Sequence, residues 1–169
     1  TTPFAVLMGM FALLLGRLAR QNSVVLGVPV AGRNTSDAED LVGFFVNTLP
    51  LHLELDDVLT GVDLIEKSRQ VSLDALSHQE APFERLVEEL TDTRSLSHSS
   101  IFQASFVFQT QGAPKLSLDG VTVTPMDVGH PVAKFDLTMF LYSQANGSIA
   151  GSLEYDTSLF EQQTVTSWS

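Results

Sequence analysis

Four histidines are the first residues to weigh, because imidazole is the commonest source of acid–base and metal-dependent chemistry. His52 opens the string His52-Leu53-Glu54-Leu55-Asp56, an H-x-x-x-D spacing that can set a general base beside a carboxylate. The surrounding residues read as a strand. There i and i+4 share a face but stand ~13 Å apart at ~3.3 Å per residue, too far for a direct hydrogen bond. His52 is therefore expected to be an ordinary strand residue. His78 precedes Gln79 just ahead of Pro82, where the expectation is a structural role at a helix junction. His98 sits in a serine-rich run and His130 beside Pro131, and neither has a partner nearby in sequence. No H-E-x-x-H or comparable array occurs, so no metal site is expected.

Other chemistries fail in similar ways. Zero cysteines exclude disulfides, thiolate nucleophiles and sulfur-ligated zinc. No G-x-S-x-G elbow exists, and the serines of 95–100 read as a loop. Gly27, Gly32 and Gly43 are too widely spaced for a phosphate loop, and no Gly-Lys-Ser/Thr follows them. Twenty acidic against nine basic residues give a net charge of −11, which repels a polyanion and argues against nucleic acid as a partner. The most apolar stretch, 3–16, is shorter than the ~20 residues a membrane-spanning helix needs. It also lacks the flanks of a signal peptide, and cytoplasm is the default location. The chain starts at Thr1, which suggests a piece of something larger.

Elements must hold whatever site exists. Thr2 and Pro3 suit a helix start, and Phe4, Leu7, Phe11, Leu14, Leu15 and Leu18 recur at helical spacing after them. Residues 23–31 are β-branched and apolar with little alternation, the pattern of a strand covered on both faces. A loop or short helical turn fits 34–40. Strand is predicted over 44–55 despite Pro50. A helix over 62–76 carries Leu64, Ser68, Val71 and Ala75 on one stripe, and Pro82 opens a shorter one bearing Phe83, Leu86, Val87 and Leu90. Phe102, Ala104, Phe106 and Phe108 alternate with Gln103, Ser105, Val107 and Gln109, as in a half-buried strand. Val121 to Thr124 follow an Asp119-Gly120 turn. Strands over 135–142 and 148–155 flank Asn146-Gly147, a strong hairpin signal. Residues 160–168 read as the start of a helix cut short. The whole predicts an α/β two-layer sandwich in one domain of 169 residues.

Three ordered blocks carry a resemblance. The first is VGFFVNTLPL at 42–51, led by VVLGVPVAGR at 24–33. The second is HQEAPFERLV at 78–87. The third is RSLSHSSIFQASFVFQ at 94–109, followed by KFDLT at 134–138 and LEYDT at 153–157. Together they resemble the C-terminal lobe of a condensation domain of non-ribosomal peptide synthetases, over nearly the whole chain. Two departures stand out: the third block usually has a proline near Ser99-Ser100, and the first usually ends in arginine where His52 stands.

The resemblance implies one of two lobes, each similar to a chloramphenicol-acetyltransferase subunit, with a tunnel between them where two carrier-bound thioesters meet. The implied reaction is attack of an acceptor amine on a donor thioester. The family's His-His-x-x-x-Asp-Gly motif belongs to the N-terminal lobe and is not in this sequence, so 1–169 should be inactive alone. Arg33 resembles the arginine that pairs with the aspartate of that motif, a task for which a bidentate guanidinium fork is suited. Asn47, Thr48, Gln103, Ser105 and Gln109 are candidates for lining the tunnel, with partner satisfaction inside the fold as the competing role for the first two. His78, Gln79, Pro82 and Phe83 form a structural motif. No cofactor is expected on this chain, its substrates riding on phosphopantetheine arms. The implied partners are the N-terminal lobe, peptidyl carrier domains and adjacent synthetase domains. Residues 115–132, with their prolines and glycines, lie near the family's crossover to the other lobe; without that lobe, uncovered apolar surface would favour a homodimer or a sticky monomer. A non-catalytic docking platform for carrier domains or tailoring enzymes is the alternative. The missing upstream motif would decide between the two.

Overall fold

The computed structural model describes residues 1–33, 36–39, 41–55, 60–90, 101–110, 118–124, 126, 132–144 and 146–168. His98, His130, Asp56, the serines of 95–100 and half of 115–132, on which the sequence placed expectations, lie outside the described residues. The chain forms two compact units, Thr1–Phe106 and Val107–Ser169.

In the first unit α1 (Pro3–Ala19) starts as its sequence predicts, with the Thr2 side chain accepting from the Ala5 N–H at 3.3 Å and Pro3 in the first turn. Its buried side differs from the leucine stripe expected. Ala5, Met8, Gly9, Phe11, Ala12 and Gly16 are buried, whereas Leu18 is 45% exposed. The reason is close packing against α3 (Gly61–Ser77): a Cβ on Gly9 would collide with the Ser68 side chain. Helices that approach this closely need small residues at the contact, and hydrophobic periodicity underweights them. On α3 the buried residues are Leu64, Ser68 and Ser72, so Ser72 displaces Val71 and Ala75 from the expected stripe. Both serine hydroxyls donate back into the helix, to Leu64 O at 2.8 Å and Ser68 O at 2.6 Å, which satisfies them in an apolar contact.

Thr60 and Asp63 form a reciprocal cap on α3. The Asp63 N–H donates to Thr60 Oγ1, and the Thr60 N–H and hydroxyl donate to Asp63 Oδ2 at 3.1 and 2.7 Å. The hydroxyl bond, with the backbone bond second, holds the Asp63 carboxyl below its usual value. A folded carboxyl that resists protonation stabilises fully above the unfolded value near ~3.9, and that contribution is lost as pH falls through the lower folded value. In Thr60→Val the Asp63 carboxyl is expected to titrate higher, towards an ordinary aspartate. Side-chain NMR checks this, and an unmoved titration would contradict the cap.

β1 (Ser23–Val30) buries the consecutive residues Leu26, Gly27 and Val28, as a doubly covered strand should. After the short α2 (Ser36–Glu39), β2 (Asn47–Glu54) pairs antiparallel with β1, setting Gly27 opposite Pro50 and Pro29 opposite Thr48. A proline nitrogen has no hydrogen to give, so both prolines must stand where that nitrogen faces away from this ladder. Pro50 faces the outer edge, since β2 has no second neighbour among the described strands. Pro29 faces β3 (Ala104–Gln109), whose parallel pairing with β1 is confined to Leu26–Ala104 and Gly27–Ser105. α1 and α3 pack on each other and on β1 and β2, giving a helical layer over strands in the order β2-β1-β3. Phe106, fully buried, lies 5.5 Å from the Phe4 ring and 6.0 Å from Phe11. α4 (Phe83–Leu90) is shallower. Its Phe83 ring lies 5.5 Å from Phe102, but Leu90 at the end of the expected stripe is 68% exposed.

In the second unit β4 (Leu137–Ser143) lies between β3, whose last residues belong here, and β5 (Ile149–Tyr155). The hairpin turns where its sequence predicts. Gly147 takes φ +83°, and Asn146 Oδ1 accepts from the Ser148 N–H at 3.0 Å. Asp156 N donates to Asp136 O at 3.0 Å, so the two short blocks KFDLT and LEYDT close one ladder. Across the Asp119-Gly120 turn an isolated Leu118–Val121 bridge is present among the described residues. α5 (Gln162–Thr166) buries Val165 beside the Phe160–Trp168 ring pair.

Candidate functional site

Strand was expected from Phe44, but β2 begins at Asn47. The correction has a physical cause at Phe45. Its ring carries the Arg33 guanidinium, 4.5 Å from centroid to Cζ, and its carbonyl lies so close to Gly32 that any Cβ there would overlap it. Gly32 also holds φ +63°, a conformation that glycine adopts without steric cost. The chain therefore leaves β1 through a glycine turn and presents an arginine to an aromatic face. Phe45 makes that contact before the ladder begins. Phe44, placed by the sequence at the start of that strand, is 90% exposed.

Arg33 Nη1 also donates to Ala38 O and, at 2.8 Å, to Leu41 O. The ring contact and the carbonyl bonds together hold the guanidinium just past the end of β1. The resemblance drew attention to Arg33 but not to Phe45, whose only sequence signal was an aromatic pair interrupting strand alternation.

Asn47 is the second anchor. Its Nδ2 donates to Gln79 O at 2.9 Å and Ala81 O at 2.8 Å, and its Oδ1 accepts from the Phe83 N–H at 3.2 Å. One amide thus ties the first block of the sequence to the second and caps α4 from a distant strand. Pro82 sits at the mouth of α4, its carbonyl accepting from Arg85 and Leu86. His78 closes α3: its N–H donates to Ala75 O at 3.1 Å, and Nδ1 lies 2.9 Å from both Ser77 Oγ and Asp74 O. His78, Gln79, Pro82 and Phe83 are therefore one turn between two helices, stapled by Asn47.

Between this turn and the residues before β2 lies a hollow of about 580 Å³, bordered by Gly32, Phe44, Phe45, Val46 and Asn47 on one side and by Gln79, Glu80, Pro82 and Glu84 on the other. The remaining candidates are placed elsewhere. Thr48 alternates with Asn47 and so faces the opposite side of β2. Ser105 is 3% exposed, and its hydroxyl donates to Gly27 O at 2.9 Å, a backbone partner inside the sheet. Gln103 and Gln109 are exposed. His52 lies on the exposed face of β2 with Nε2 2.7 Å from Ser23 Oγ. Among the described residues no cluster of three potential metal ligands occurs, and no helix is long and apolar enough to cross a membrane.

The condensation-domain family model matches residues 1–169, and the chain belongs to that family. It is 41% identical over 164 residues to malpinin synthetase of Mortierella alpina, covering 97% of this chain and 2% of that protein. A linear gramicidin synthase of Brevibacillus parabrevis is 40% identical over 167 residues, covering 98% and 3%. The chain thus spans only a few per cent of these curated relatives' length. In fold it resembles holo-AB3403, a four-domain nonribosomal peptide synthetase solved with AMP and glycine, at TM-score 0.88 and 24% identity over 98% of this chain and 14% of that one. The X-domain from teicoplanin biosynthesis matches at TM-score 0.87 and 23% identity, over 99% and 38%. The α/β class expected from the sequence is the class observed.

Proposed function

We propose that this chain is the C-terminal lobe of a condensation domain and forms one wall of a site where a carrier-bound amine attacks a carrier-bound thioester in non-ribosomal peptide synthesis. The observation that carries it is the stapled hollow: family blocks that are far apart in sequence converge through Asn47 beside a guanidinium held over the Phe45 ring. The general base and its aspartate would come from an N-terminal lobe, and the substrates from phosphopantetheine arms of carrier domains in the same assembly. In this scheme Arg33 is a positioning residue. Its fork holds the aspartate of the histidine motif and so orients a base that it does not itself touch.

Complementation tests this. The chain alone is expected to make no dipeptide on loaded carriers, and the chain mixed with a separately produced N-terminal lobe is expected to make it. Synthesis by the 169-residue chain alone would overturn the proposal. Arg33→Lys in the two-lobed domain keeps the charge but loses the planar fork, and should slow turnover by at least about tenfold with little change in KM. A wild-type rate would remove Arg33 from the mechanism. Val42 and Phe44 are 103% and 90% exposed, so the isolated chain is expected to self-associate with rising concentration. Sedimentation of a clean monomer at high concentration would contradict that.

A further inference from the structure

Away from the hollow, at the opposite end of β1, two arginines share a cavity. We infer that Arg17 and Arg20, with the Gln21 and Asn22 amides, form a binding site for a phosphate monoester carrying a short apolar group. The cavity measures about 260 Å³ and has Leu13, Gly16 and Leu55 as its apolar floor. Two of the chain's nine basic residues thus meet in one small volume of a protein with net charge −11.

The ordinary task of arginines at a helix end is to neutralise its last carbonyls, and here the backbone already satisfies two of them. Gln21 N donates to Gly16 O at 2.8 Å and Arg20 N to Arg17 O at 3.3 Å. Neither guanidinium has a hydrogen bond or ion pair to another described residue. Arg20 also takes the left-handed conformation, φ 55° and ψ 43°, at the position after a helix where glycine is favoured. A side chain kept there against backbone preference points to a use for the guanidinium itself.

The chemistry selects the ligand. Two cations match the two charges of a phosphate monoester better than the single charge of a carboxylate, and guanidinium forks suit its oxygens. Amide donors from Gln21 and Asn22 complete the shell, and Leu13 and Leu55 accept a few methylenes. An adjoining hollow lined by Ser23 and Glu54 shares Gln21 and Asn22. The Glu54 carboxylate repels an anion there, which leaves the arginine side as the seat of the phosphate.

Titration of the 169-residue chain with inorganic phosphate, butyl phosphate and butyrate, followed by amide NMR, tests the assignment. Saturable shifts confined to 16–23 are expected, with butyl phosphate tighter than phosphate and butyrate weakest. Arg17→Gln should weaken butyl phosphate at least about tenfold, the effect of losing one charge-assisted contact. Arg20→Gly separates binding from folding, since glycine relieves the left-handed backbone. Its melting temperature should hold or rise while binding weakens by at least about fivefold. No saturable shift at these residues, equal binding in both variants, or butyrate matching butyl phosphate would overturn the site. A tighter grip on inorganic phosphate than on butyl phosphate would overturn the apolar floor's role.

Discussion

Phe106→Ala is expected to destabilise the first unit by about 3–5 kcal/mol, the range for truncating a fully buried phenylalanine. The ring has no exposed surface and meets Phe4 and Phe11 of α1 at 5.5 and 6.0 Å, so its loss removes transfer energy and both aromatic contacts at once. The cavity cannot close easily. β3 is tied to β1 beside it through Gly27–Ser105, where the Ser105 hydroxyl bonds Gly27 O, and a Cβ on Gly27 would already strike the Phe102 ring. Typical domains have only about 5–15 kcal/mol of total stability, so this one change approaches the unfolding threshold. Urea denaturation should show a lower midpoint at unchanged slope, with Phe106→Leu recovering much of the loss. A cost below about 1 kcal/mol would mean the ring is not in a close-packed core.

Asn47→Ala should cost about 2–3 kcal/mol, summing modest net values for three backbone hydrogen bonds and leaving two carbonyls and one N–H to find other partners. Its signature is local as well as global. The Phe83 amide should exchange faster than the rest of α4 before the unit unfolds, because its acceptor is gone. Asn47→Asp sharpens the test. The carboxylate can still accept from Phe83 but places negative charge against the Gln79 and Ala81 carbonyls, so it should be at least as damaging as alanine. A benign aspartate would mean the two donor bonds carry no weight. In the complemented two-lobed domain either change should reduce turnover, since the turn bordering the hollow loses its tether.

Legibility in the sequence varies by residue. That Asn47 needs partners is plain, because an amide within an apolar strand must be satisfied. Which partners is not, since they lie 32 to 36 residues away and only folding brings them into reach. Phe44 and Phe45 mislead a strand assignment because an apolar pair beside a strand has the same periodicity whether it enters a core or receives a cation. On α1 the leucines are visible, while the contact belongs to Gly9, Ala12 and their small neighbours. Alternation puts Ser105 on a polar face, yet its hydroxyl finds a carbonyl within the sheet.

Amino-acid order is enough for the elements whose signals are local: the Thr2–Pro3 helix start, the Asn146-Gly147 hairpin, the apolar β1 and the family blocks in their order. Such features depend on dihedral preference and on neighbours a few residues away, so a short string specifies them. Folding in three dimensions supplied the rest: that Arg33 rests on Phe45, that Asn47 staples a turn more than thirty residues distant, and that two arginines at the end of α1 share one cavity. Those contacts depend on how elements pack, and packing is set by the volumes and approach distances of many side chains together.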